Sequence, residues 1–199
     1  TAASEYPEIP GAIEGPAGIE CEAETLREAL ESVSYAASTD ETRYAMNGVL
    51  LEPAAQAFRL VAVDGHRLAL RDVAVPRPVS LTEPVILPTQ WVRGAERVLR
   101  GSGMAELRAG GRYAELRGAG YRLIERVVEG EFPNYRNVIP REGGAWLRVK
   151  ADALRVALEQ VLPMAPEKSR AVKLLALEDA GVLRLETKNA DKGEASAEI

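Results

Sequence analysis

The sequence predicts an α+β protein made of short strands joined by tight turns and a few amphipathic helices, with part of the pattern duplicated. Three observations lead there. Runs of alternating apolar and polar residues, rich in Val, Leu and Ile, are broken by turn residues such as Asp64-Gly65. A few longer stretches instead space their apolar residues for a helix. One of those helical stretches returns later almost unchanged.

Residues 1–15, TAASEYPEIPGAIEG, carry no basic start and no long apolar run, so they are not read as a secretory signal; their Pro and Gly content reads as a linker. Residues 18–23 alternate and predict a short strand. In 24–38, Leu26, Ala29, Leu30, Val33 and Ala37 share one helical face, and Glu24, Arg27, Glu28 and Glu31 fill the other. Strands follow at 47–52, 57–63 and 66–75, with a turn at 53–56 and Asp64-Gly65 between the last two. A loop with three prolines spans 76–84. After a short strand at 85–87, Pro88 stands where a helix start tolerates proline, and 89–100 reads as helix with Trp91, Val92, Ala95, Val98 and Leu99 as its apolar face. Strands are predicted at 104–109, 112–117 and 121–128, the first two as a hairpin about Gly110-Gly111. The Pro- and Gly-rich segment 129–144 is the candidate domain boundary. Beyond it come a strand at 146–150, a helix at 151–162, and strands at 171–178, 181–188 and 193–199.

The second stretch repeats the first. LREALESV (26–33) and LRVALEQV (154–161) agree at six of eight positions, an offset of 128. Residues 49–52 face 175–178 at an offset of 126, and 58–60 face 183–185 at 125. A slowly shrinking offset is what small loop deletions in a duplicated unit of about 125 residues produce. The final copy holds one helix and about three strands, which leaves an apolar face and a sheet edge open. The chain is therefore read as a fragment of a longer protein, truncated at both ends, in preference to an intertwined dimer.

Composition narrows the function classes. Hydrophobic residues at 46% and charged residues at 28% suit a folded chain, and no apolar run approaches a membrane span. A net charge of −5 argues against a simple nucleic-acid binder but leaves room for basic residues gathered on one surface. A lone Cys21 forms no internal disulfide and fits a reducing, cytoplasmic setting, as a small apolar core residue. A lone His66 argues against a structural zinc site, so neither metal nor cofactor is expected.

Four segments carry a resemblance: STDETRYAMNGVLLE (38–52), RLVAVDGHRLALRDV (59–73), EGEFPNYRNVIP (129–140) and EKSRAVKL (167–174). Together, in order and spacing, they resemble the bacterial DNA sliding clamp family, the beta subunits of DNA polymerase III. The resemblance implies a DNA clamp fold, with each domain pairing two helices with two antiparallel sheets in internal pseudo-symmetry. It implies that residues 1–14 are the tail of a preceding domain, 15–141 a complete middle domain, and 142–199 the first half of the next. It further implies a homodimeric ring around duplex DNA, helices lining the hole, whose partners are DNA polymerase, clamp loader and repair proteins, held through short linear peptides.

Site residues follow from the same resemblance. The peptide pocket falls on Met46, Val63, Gly65, His66, Arg67, Leu68, Pro133 and Val138, with Arg43 at the rim. Apolar walls suit Leu or Phe anchors, and a few polar groups fix register. Two positions depart from the family: Val63 stands where Thr is common and Asn137 where Arg is common, so the pocket is less polar. The family's remaining wall comes from the end of the third domain, so this chain is expected to hold half a site. The DNA-facing residues are Arg27, Arg93, Arg97, Arg100 and Arg155; Thr89 and Gln90 stand where the family carries a basic residue. Two rival readings stay open: an acid/base enzyme using Asp64, His66 and Glu131, which lacks a nucleophile motif or phosphate-cradling loop, and a repeat-built interaction module with no DNA role.

Overall fold

The computed structural model describes residues 18–140 and 146–199, apart from 82, 102, 111, 168 and 178–180. The reading of 1–14 as a domain tail, Gly111 of the hairpin and residues 141–144 of the boundary segment 129–144, the linker between the two units, lie outside the described residues. The chain divides into two compact units, Thr1–Ile139 and Pro140–Ile199, and the division falls inside the Pro- and Gly-rich stretch.

The described part of the first unit runs β1 (Ile19–Glu22), α1 (Ala23–Ser34), β2 (Gly48–Ala54), β3 (Ala57–Val63), β4 (Leu68–Ala74), then β5 (Val85–Pro88), α2 (Thr89–Val98), β6 (Met104–Gly110), β7 (Tyr113–Gly118) and β8 (Tyr121–Arg126). Each half is strand, helix and a three-strand meander. The halves are laced by exchange: β1 pairs with β6 of the second meander, and β5 with β2 of the first. The result is two four-stranded antiparallel sheets, β1-β6-β7-β8 and β4-β3-β2-β5. Gly48 sits where β2 and β5 converge: a Cβ there would stand 2.6 Å from the Leu87 carbonyl oxygen.

One core joins both sheets and both helices. α1 buries Leu26, Ala29, Leu30 and Val33 of the expected stripe, with Ala23 added, over β4 and β3; it ends at Ser34, short of the expected 38, so Ala37 is buried from the turn after the helix. α2 buries Trp91, Val92 and Ala95 and packs on β8, β2 and β5. The two helices touch each other, and Ser34 donates to Glu96 Oε1 at 2.8 Å. Cys21 is 3% exposed, and burial, then the Glu22 carboxylate, pushes its thiol up to about 11, so it packs as an inert core residue.

The second unit contains α3 (Ala151–Val161) and β9 (Lys173–Leu177), β10 (Val182–Asn189) and β11 (Gly193–Glu198), in sheet order β11-β10-β9. This repeats the helix and meander order of α1 and β2–β4. One strand expectation fails here. Residues 146–150 form no strand, and Trp146 is 94% exposed. The equivalent β1 is held by β6, which follows a second helix, and no such elements occur among described residues 146–199. Alternation without a partner edge makes no ladder.

Smaller departures are local. β4 begins at Leu68, because residues 64–67 are consumed by the turn. Pro88 ends β5 and caps α2 from outside, and α2 stops at Val98. β8 stops at Arg126, leaving Val128 as a single bridge to Ile86. The stretch Glu41–Met46, whose residues show no period, forms 3₁₀ turns kinked at Arg43, with the Asp40 carboxylate accepting from Thr42 N at 3.0 Å.

Candidate functional site

Sheet β4-β3-β2-β5 is covered on both faces. Its inner face, with Phe58 and Leu60, joins the main core. On its outer face Leu50, Val61, Val63 and Ile86 form a second cluster with Tyr135, flanked by Met46, Leu68, Leu70, Val128 and Phe132. The cover is the segment after β8. Val128 N donates to Ile86 O at 2.9 Å, and a 3₁₀ turn, Tyr135–Asn137, lies farther on. A sheet face exposing this much Leu, Val and Ile is stabilised by about 25 cal/mol for each Å² it hides from water, which is why the segment stays down.

Where that cover stops, a cleft of about 360 Å³ opens, lined by Met46, Val63, Gly65, His66, Arg67, Leu68, Pro133, Asn134, Tyr135 and Val138. The structure thus gathers Met46, Val63, Gly65, His66, Arg67, Leu68, Pro133 and Val138 around one opening. Arg43 stands at its edge, with Nη1 donating to Asp64 O at 3.4 Å and Nε 3.6 Å from Asp40. Val63 and Leu68 face each other across the β3–β4 register. Val138 is 68% exposed, so apolar surface is presented to solvent rather than hidden. Sequence reasoning did not place Asn134 and Tyr135 on the lining; their position between Pro133 and Val138 was the available clue.

The β3–β4 turn builds the polar rim. Gly65 has φ +92°, a left-handed conformation that favours glycine. Asp64 holds it: its Oδ1 accepts from His66 N at 2.8 Å and Arg67 N at 3.0 Å, and its Oδ2 from Arg67 Nε at 2.8 Å. Burial pushes the Asp64 carboxyl up, but these bonds outweigh it and hold the group below its ordinary value. Asp64 is therefore engaged with turn amides and a guanidinium, which argues against the acid/base reading with His66 and Glu131. Arg67 also stands 5.8 Å over the Tyr35 ring, which is 62% exposed.

The five arginines expected to face DNA divide into two groups. Arg27 is bonded to Glu24 and Glu31, and Arg155 to Glu159 at 2.9 Å, so each charge is locally balanced. Arg93, Arg97 and Arg100 are exposed on or just after α2, and among the described residues none has an acidic partner in salt-bridge range. Arg93 and Arg97 line a polar groove with Ser38, Thr39, Thr89 and Glu125. Arg155 belongs to the second unit. Among the described residues no group of three His, Cys, Asp or Glu is placed to hold a metal ion, and no helix is long and apolar enough to cross a membrane.

Comparison with known proteins agrees with this architecture. The beta sliding clamp of Pseudomonas putida is 31% identical over 195 residues, covering 96% of this chain and 53% of that protein. The crystal structure of a sliding clamp from Bartonella birtlesii bound to griselimycin superposes with a TM-score of 0.82 at 29% identity, over 96% of this chain and 53% of that one. The C. crescentus beta sliding clamp gives a TM-score of 0.91 at 28% identity, over 100% of this chain and 54% of that one. The chain thus spans about half the length of the relatives it matches. The family model for the central domain of the DNA polymerase III beta subunit matches residues 20–134, more than half of the chain, and the chain belongs to that family.

Proposed function

We propose that these residues are part of a processivity factor, a ring-shaped sliding clamp that encircles duplex DNA without reading its sequence. In this reading 15–141 is the complete middle domain, 142–199 the first half of the next and 1–14 the tail of the one before. The observation that carries it is the family match over 20–134, on a unit whose two halves repeat one topology. A closed ring on duplex DNA cannot leave sideways, so tight phosphate contact is unnecessary and would add friction to sliding. A chain of net charge −5 whose exposed Arg93, Arg97 and Arg100, on or just after α2, have no acidic partner among the described residues suits that requirement.

The ring is a homodimer that works in the cytoplasm, catalyses no reaction and needs no cofactor or metal. The cleft between Leu68 and Val138 holds short linear peptides from DNA polymerase, the clamp loader and repair proteins. Met46, Val63, Leu68, Pro133 and Val138 receive apolar anchors, while Arg43, Gly65, His66 and Arg67 frame the polar rim. Griselimycin, bound by the Bartonella protein, is expected to occupy the same cleft.

The test is topological. The intact protein is loaded onto nicked circular DNA, which is then cut once. A ring slides off the ends and is recovered free. Retention on linear DNA to the same extent as on circles would mark an ordinary DNA binder and remove the clamp reading, and no retention even on circles would leave an interaction module without a DNA role.

A further inference from the structure

The linker wall of the cleft is held from outside the cleft. Glu52, on β2, does not line the opening, yet both its carboxylate oxygens are engaged by the linker. Tyr135 Oη donates to Oε2 at 2.6 Å, and the Arg136 guanidinium donates to Oε1. Arg136 also lies over the Tyr135 ring at 4.9 Å. Arg59, bonded to both oxygens of Asp72, extends Nη1 to Tyr135 Oη at 3.4 Å. Tyr135 is 3% exposed and the Glu52 side chain 19%, so these bonds form where water competes poorly. Burial pushes the Glu52 carboxyl up, and its bonds to Arg136 and Tyr135 outweigh that, so it stays ionised.

The 3₁₀ turn then passes the position of Tyr135 to the cleft. Tyr135 N donates to Pro133 O at 2.7 Å, and Val138 N to Tyr135 O at 3.2 Å. Fixing the Tyr135 ring fixes the two apolar residues on either side of it, and these form the wall opposite Leu68. Opposite Glu52 on β3 stands Arg59, a cation held by Asp72, and the outer residues Leu50, Val61 and Val63 are apolar, so among the described residues of β2 and β3 here Glu52 is the carboxylate that meets the linker.

We propose that Glu52 is a positioning residue for the binding cleft: through Tyr135 and Arg136 it latches the linker so that Pro133 and Val138 stand ready for a ligand. Preorganised walls raise affinity because the ordering cost is met before binding. The inference rests on the reading of the cleft as a binding site, and it is tested with and without ligand.

The probe is griselimycin, with calorimetry on the intact protein and amide hydrogen exchange on its unliganded form. Glu52→Ala and Tyr135→Phe should each weaken binding about tenfold, the scale for losing one hydrogen bond to a charged group. Glu52→Gln, which keeps an oxygen for Tyr135, should recover most of the loss. The double variant Glu52→Ala/Tyr135→Phe should bind no worse than Glu52→Ala alone, because one latch is broken in both. Without ligand, exchange at Tyr135 and Val138 should quicken in Glu52→Ala while β2 and β3 stay protected. Equal losses in Glu52→Gln and Glu52→Ala, or faster exchange across the whole sheet, would make Glu52 a general structural residue and overturn the proposal. If the unsubstituted protein fails to bind griselimycin, the cleft reading falls, and the exchange result still decides the latch.

Discussion

The two sheets of the first unit share a topology but not an outer face. The outside of β4-β3-β2-β5 is apolar, buried under the linker, and ends in a cleft. The outside of β1-β6-β7-β8 is a lattice of ion pairs: Arg108 with Glu106, and Arg117 and Arg122 with the fully buried Glu115 carboxylate. Duplication supplies two equal scaffolds, and the outward side chains decide which one takes a cover and carries the cleft. The charges of this face pair with one another, and an apolar partner would have to strip the remaining water from them to bind it. The linker-covered face offers exposed Val138 and half-buried Met46 and Leu68 at little desolvation cost.

The largest expected effect separates the covers. Tyr135→Ala removes a buried ring and the Glu52 bond together, and should cost about 3–5 kcal/mol in urea unfolding. Ile124→Ala, partly exposed on the other sheet, should cost less than about 1.5 kcal/mol. Equal costs would erase the distinction between the faces. Next, Leu68→Ala in the intact protein should weaken griselimycin by about 2 kcal/mol, or some thirtyfold, while ring assembly by sedimentation is unchanged. Glu115→Gln should lower stability by about 1–2 kcal/mol, discounted because both arginine partners are partly exposed, and should leave griselimycin affinity alone.

A smaller effect lies in pH. Burial pushes the Glu52 and Glu115 carboxyls up, but bonded guanidinium groups, with Tyr135 at Glu52, hold both below their ordinary value of 4.5. The unfolded chain then binds more protons than the folded one as pH drops. Their contribution is complete above about pH 4.5 and is lost as pH falls through the lower folded values. Urea unfolding from pH 7 to pH 3 should show the decline, and Glu52→Gln should make it shallower. An unaltered slope would mean that the Glu52 bonds add nothing to folding.

Much of this contrast was legible in the residues. Leu50, Leu51 and Leu60 to Val63 form apolar runs without alternation, the mark of a strand covered on both faces, whereas Ala114 to Arg117 and Tyr121 to Arg126 interleave charge. The helices were clear because Leu26, Leu30 and Val33, and Trp91 and Ala95, recur at helical spacing. What covers the sheet was not legible. Residues 129–138 have no period, and their attachment depends on Glu52 meeting Tyr135 and Arg136 across more than eighty positions of sequence. The short turns at Glu41–Met46 were too brief for any period to show. Residues 146–150 alternate as a strand does, but pattern alone supplies no neighbour. The arginines show the same limit: spacing placed Arg27 on the polar face of α1, but only geometry reveals that Glu24 and Glu31 balance it.

The most direct measurement is a crystal structure of the intact protein with griselimycin. The ligand should lie against Met46, Val63, Leu68, Pro133 and Val138, with Tyr135 still bonded to Glu52. A ligand seated on the ion-paired sheet, or in the groove beside Arg93 and Arg97 with the cleft empty, would contradict the assignment of function to the linker-covered face.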